Sequence, residues 1–228
     1  NSGFWTIHLY NCTNVEVTRC KIVNNVTASQ TDGIDIDSTR NAYIAHNYIS
    51  TGDDGIAFKS GMDFCGRKFN TPTTNATAEY NYFNFSGGIA IGSEMSGGIS
   101  DIVAQHNIMR GDANRQPELW TWGPRVITLK GCRGRGGTIE NVYIYNTTCI
   151  DCDQVIRVTF QNGQPFTNIS ATPFVKNVTL KKVQGTCETV GFFQSLPEAP
   201  IEMSVFDVVV DAYRASGKEY LNCSVMSP

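Results

Sequence analysis

Apolar and polar positions alternate along this chain in short runs, not in long helical stripes. Stretches rich in β-branched and aromatic residues, such as 14-NVEVTRCKIV-23, 41-NAYIAHNYI-49, 101-DIVAQHNIM-109, 141-NVYIYNTTCI-150, 177-NVTLKKVQG-185 and 203-MSVFDVVV-210, are separated by Asn/Gly turns, the mark of strands. Their recurrence is that of a solenoid with one set of strands per repeat. A second set aligns more closely: 33-GIDID-37, 55-GIAFK-59, 88-GIAIG-92, 126-VITLK-130 and 155-VIRVT-159. In each, two apolar residues occupy alternate positions (Ile34/Ile36, Ile56/Phe58, Ile89/Ile91, Ile127/Leu129, Ile156/Val158) and can share one interior face. The pattern predicts an all-β, right-handed parallel β-helix over residues 1–228, a single domain in which each coil lies ~4.8 Å above the last. An up-and-down barrel would require hairpin turns between neighbouring strands, and two-residue N-G or D-G turns flanked by strands are scarce.

Stacking these five strands sets the outward side chains in rows. One row reads Asp35, Ala57, Ala90, Thr128, Arg157, and the next Asp37, Lys59, Gly92, Lys130, Thr159. A third, two residues before the first inward position, reads Asp32, Asp54, Gly87, Arg125, Gln154, with Asp53 beside it. Asp32, Asp53 and Asp54 thus converge on one solvent-facing groove. Like charges on adjacent strands destabilise each other, so at least one of the three holds a proton near neutral pH. A protonated acid beside an ionised base is what glycosidic cleavage requires. An Asx turn between glycines and a calcium site are the alternatives. Lys59, which can pair with Asp37, makes a bare metal cage less natural.

Bulk properties restrict the partners. The net charge of -3 argues against nucleic acid, and no apolar run reaches the ~18 residues of a membrane span. Eight cysteines accompany sequons at Asn11, Asn25, Asn75, Asn84, Asn146, Asn168, Asn177 and Asn222, so a secreted, disulfide-bearing glycoprotein is expected. The C-x-x-C of Cys149 and Cys152 has no second pair at zinc spacing, so disulfide or core thiol is the reading there. The chain opens without a charged-then-apolar leader, and a fragment or processed form, acting as a monomer, is expected.

The motifs 30-QTDGIDID-37, 52-GDDGIAFKSG-61, 92-GSEMSGGI-99 and 134-GRGGTIENV-142 resemble, in order, those of glycoside hydrolase family 28, the polygalacturonase-related pectin hydrolases. The segments 4-FWTIH-8 and 196-LPEAPIE-202 look like the family's flanks, while its N-terminal coils are missing. The resemblance implies a secreted, inverting hydrolase of pectin or a related acidic polysaccharide, without metal or organic cofactor. In it Asp53 matches the general acid, Asp32 and Asp54 the pair that activates water, and Lys130 a substrate-binding residue. One coil is shorter than the roughly 6.5–9.5 Å between the carboxyls of inverting enzymes, so inversion rests on the resemblance alone.

The chain departs from the family at two places. The histidine of the family's G-H-G falls at Gly87, and His106 lies on another strand, where a partly buried strand residue is expected. The arginine of R-I-K, thought to hold the uronate carboxylate in polygalacturonases, falls at Thr128. Arg125 and Arg157 can take over as substrate-binding residues, and Arg133 and Arg135 extend the basic zone beside the groove unless they are solvated loop charges. Trp120 and Trp122 are candidates for stacking on sugar rings or for packing their loop. Gln30 keeps an amide where the family has asparagine. A catalytically weak homologue that binds cell-wall polysaccharide is the second hypothesis, and a calcium-dependent β-helix lyase a third.

Overall fold

The computed structural model describes residues 2–112, 123–161, 171–212, 220–221 and 223–226, with side chains described as far as residue 212. Among the described residues the strands pair in parallel, and one isolated bridge, Leu196 to Ala199, is antiparallel. In the lower coils each turn of the solenoid supplies three short strands. The first face stacks β1 (Ile7–Tyr10), β4 (Ile34–Asp37), β7 (Ile56–Lys59), β10 (Ile89–Ile91) and β13 (Arg125–Lys130). The second stacks β2 (Thr13–Thr18), β5 (Arg40–Ala45), β8 (Thr73–Glu79) and β11 (Ile99–Gln105), and the third β3 (Lys21–Val23), β6 (Tyr48–Ser50), β9 (Tyr82–Asn84) and β12 (Ile108–Arg110). Higher up, the faces join into long strands: β14 (Thr138–Thr159), β15 (Phe174–Gln194) and β16 (Ile201–Ala212).

The expected register holds residue for residue. Ile56 pairs with Ile34 below and Ile89 above, Ile89 with Ile127, and Ile127 with Ile156. Ile34, Ile36, Ile56, Phe58, Ile91, Ile127 and Leu129 are fully buried, because every second side chain points into the same column. The parallel β-helix is therefore built by stacking like on like.

The lower coils turn the corner between their second and third faces on one residue in the left-handed region: Arg19, His46, Tyr80 and His106, with φ of 56°, 59°, 53° and 54°. This conformation is unfavourable for residues with a Cβ. It recurs because the next residue faces inward to an amide ladder. Asn47 Nδ2 donates to Asn81 Oδ1 at 2.9 Å and Asn81 Nδ2 to Asn107 Oδ1 at 3.2 Å, and each Oδ1 also accepts the backbone N–H of the residue one coil below. Outside, His46, Tyr80 and His106 stack at 5.2 and 4.9 Å. His106 is partly buried, as expected, but stands at an outward corner just past β11 and not within a strand.

The disulfide expectation is corrected, the core-thiol reading holds at Cys149 and Cys152, and one short helix is added. Among the described residues Cys12, Cys20, Cys65, Cys132, Cys149 and Cys152 form no disulfide. Cys152 is buried and stacks in register on the buried Cys187 of the next coil, so these side chains serve as small core residues. A short helix, α1 (Asp63–Phe69), which the strand pattern conceals, follows β7 and ends on Asn70 at φ 49°.

Candidate active site

Asp32 precedes β4, and Asp53 and Asp54 form the tight turn before β7. Backbone hydrogen bonds hold that turn on both sides. The Asp53 carbonyl accepts from Gly87 N–H at 2.8 Å and from Thr51 Oγ1 at 2.9 Å, and the Asp54 carbonyl from Gly33 N–H at 2.9 Å. Gly52 is required here, since a Cβ would stand 2.1 Å from the Ala28 carbonyl oxygen. The carboxylate of Asp53 is fixed too, accepting from Gln30 N–H at 2.9 Å and Asp54 N–H at 3.0 Å.

The three side chains each bring an oxygen within 4.8 Å of the others, and all three residues are buried at the base of a groove. Asp32 Oδ1 makes no hydrogen bond. Burial, then the charge of Asp54 and that of Asp35, push the Asp32 carboxyl up to about 9. Burial and Asp54 also raise Asp53, against the pull of its backbone donors. The cluster therefore retains a proton at neutral pH. Such spacing would also suit a cation cage, but Lys130 Nζ lies 2.5 Å from Asp54 Oδ2 and already supplies positive charge there.

The groove encloses about 510 Å³, within the range of sites for small ligands. The structure brings Lys130, Arg125 and Arg157 to it together with Asp32, Asp53 and Asp54. Thr128 pairs in register with Arg157 one coil above. The buried Thr128 hydroxyl has no hydrogen-bond partner. The Arg157 guanidinium rests on the Phe192 ring at 4.7 Å, and burial lowers its pKa. Arg125 lies 3.5 Å from Asp153.

The sequence profile of Glycosyl hydrolases family 28 matches residues 1–226. The chain belongs to that family. It is 33% identical over 150 residues to a probable polygalacturonase of Vitis vinifera, covering 65% of this chain and 28% of that protein. It is 27% identical over 219 residues to a polygalacturonase of Ralstonia nicotianae, covering 91% of this chain and 38% of that protein. The chain thus spans well under half the length of these relatives. Among solved structures, the exopolygalacturonase of Thermotoga maritima superposes with a TM-score of 0.76 at 25% identity, over 92% of this chain and 45% of that one.

Within this family-28 groove some expectations change. Lys59 does not pair with Asp37. Its ammonium lies 3.0 Å from Glu94, 3.6 Å from Asp35 and 3.9 Å from Asp32, while Asp37 accepts from Gly61 N–H and Ser38 Oγ and meets His8. Arg133 and Arg135 are engaged by Glu198 and Asp63 at 2.6 Å and do not line the groove. A Cβ at Gly87 would stand 3.1 Å from the Asp53 carbonyl oxygen and the Asp54 Cα, so a side chain there would need the turn to give way. Gln30 acts through its backbone N–H on Asp53. Trp120 and Trp122 lie outside the described residues. Sequence reasoning missed Trp5, Glu94 and Gln194 as groove residues. The signal for the first two was present in the FWTIH and GSEMSGG motifs.

Proposed function

We propose that this chain is part of a single β-helix catalytic domain that hydrolyses glycosidic bonds of pectin or a related acidic polysaccharide, outside the cell and as a monomer. The observation that carries this reading is the buried Asp32, Asp53, Asp54 set, sharing a proton beneath a groove that also holds Lys130, Arg125 and Arg157. Asp53 protonates the leaving oxygen while Asp32 and Asp54 activate a water. Lys130 Nζ pairs directly with Asp54 Oδ2. Arg157, with no carboxylate at ion-pair distance among the described residues and one coil above Thr128, offers a fork for the uronate carboxylate.

One observation favours a second assignment within the same reaction. The resting proton is held most firmly by Asp32, whereas both oxygens of Asp53 accept backbone N–H groups that favour its ionised form. Under this assignment Asp32 is the acid and Asp53 a base. Reducing-sugar release from polygalacturonate and from rhamnogalacturonan, for wild type, Asp53→Asn and Asp32→Asn, tests both. Turnover lowered about 10²–10⁴-fold in each variant supports the aspartate mechanism, and the limb missing from the pH profile of the residual activity assigns the acid. Binding of both polymers without turnover by the wild type, assayed with the family's N-terminal coils supplied, rejects hydrolysis and leaves a polysaccharide-binding protein.

A further inference from the structure

Asp35 is fully buried under the groove floor, and neither of its oxygens has a hydrogen-bond partner. It touches no solvent and cannot reach a bound sugar. An ionisable group in such a place costs stability unless something uses it. Among the described residues the cation at ion-pair distance from it is Lys59 Nζ at 3.6 Å, which also faces Glu94 at 3.0 Å and Asp32 at 3.9 Å and sits 4.3 Å from the centre of the Trp5 ring. Lys59 is 3% exposed, so its amine is a fixed cation shared among three carboxylates, with Asp32 the most distant.

We propose that Asp35 is a positioning residue that, with Glu94, draws the Lys59 ammonium away from Asp32 and so keeps a proton on the catalytic cluster. The proposal rests on the hydrolytic reading of that cluster for its purpose, but its geometry is independent of substrate. If Asp35 were neutral, the charge of Lys59 would fall more fully on Asp32 and ionise it. The charged groups around Asp35 agree with this balance. From the coil below comes His8, its register partner, whose Nε2 is engaged by Asp37 at 3.3 Å. Above stand Lys59 and the Asp53–Asp54 turn on β7, Glu94 after β10, and Lys130 and Arg125 on β13. Lys130 is committed to Asp54 and Arg125 faces Asp153, leaving Lys59 as the cation Asp35 and Asp32 compete for. Burial pushes Asp35 up to about 7 against the pull of Lys59, and although burial raises Glu94, the Lys59 charge holds it down at about 2.

Carbon-13 NMR titration of the aspartate carboxyls reads this without any turnover. In Asp35→Asn the Asp32 midpoint should fall by about one pH unit, a tenfold change in its proton affinity. In Lys59→Gln it should rise. An Asp32 midpoint unmoved in Asp35→Asn, with the other aspartate signals in place, overturns the proposal. Should Asp35→Asn fail to fold, Glu94→Gln decides: the Asp32 midpoint should fall there too, and a midpoint left in place overturns the proposal equally. Turnover assayed on the same samples separates the two claims. Midpoints that shift in the variants, with a wild type that cleaves neither polymer, reject hydrolysis and leave the positioning device standing. Normal turnover with unmoved midpoints rejects the device alone.

Discussion

The inward amide ladder and the groove floor are built by the same operation and have opposite energetics. In both, a residue is repeated at one position of successive coils. Where the repeated residue is asparagine, each side chain is donor and acceptor at once, so Asn47, Asn81 and Asn107 satisfy one another and the backbone around them. Where it is aspartate, Asp32 beneath Asp54 offers only acceptors and charge, and one group must keep a proton. Repetition in a β-helix is therefore neutral in itself; whether it yields stability or reactivity depends on whether the side chain complements its own copy.

Substitutions can break this contrast from either side. The largest expected effect is on the reactive stack. Asp53→Asn should lower kcat by about 10²–10⁴-fold, the usual contribution of a positioned acid or base, with little change in thermal unfolding. Next comes the stable stack. Asn81→Ala orphans the Asn47 N–H and the Ile44 carbonyl oxygen, and urea unfolding should report a loss of about 2–4 kcal/mol.

A smaller effect appears in pH dependence. The Asp32 carboxyl is raised to about 9 in the folded chain from 3.8, so between those values the native state binds more protons than the unfolded state. Stability then falls as pH rises through that window, by up to about 1.4 kcal/mol per pH unit, and the cost is absent below the unfolded value. Asp32→Asn should flatten that slope, and parallel slopes in the two proteins would contradict the buried-proton account. The smallest change is expected outside. Asn75, at φ 55°, donates to Asn41 on the exposed surface. Asn75→Gly keeps the left-handed backbone and should cost only about 0.5 kcal/mol by the same urea measurement.

The groove face was legible in the sequence because it obeys a strict two-residue period. Ile34, Ile56, Ile89, Ile127 and Ile156 announce one column, and once they are aligned Asp32, Asp54, Thr128, Lys130 and Arg157 take their places. What escaped the pattern lies where that period breaks. The corners at His46, Tyr80 and His106 belong to neither face and depend on left-handed backbone, which apolar alternation does not encode. Helix α1 is one short excursion of seven residues, too brief for a 3.6-residue stripe. The pairing of Lys59 was misread because register places it beside Asp37, whereas its long, flexible side chain reaches Glu94, beyond the end of β10. Backbone register states which Cα atoms are neighbours and leaves open where a four-carbon chain delivers its charge.

The parallel, in-register stack has a consequence for how substrate preference can change. The groove is a ruler with divisions of ~4.8 Å, one per coil, and each backbone position stands on a mark. Residue 157 is anchored one whole division from residue 128, so moving a cation between these positions shifts its anchor by a discrete step, and the reach of the side chain sets where the charge falls.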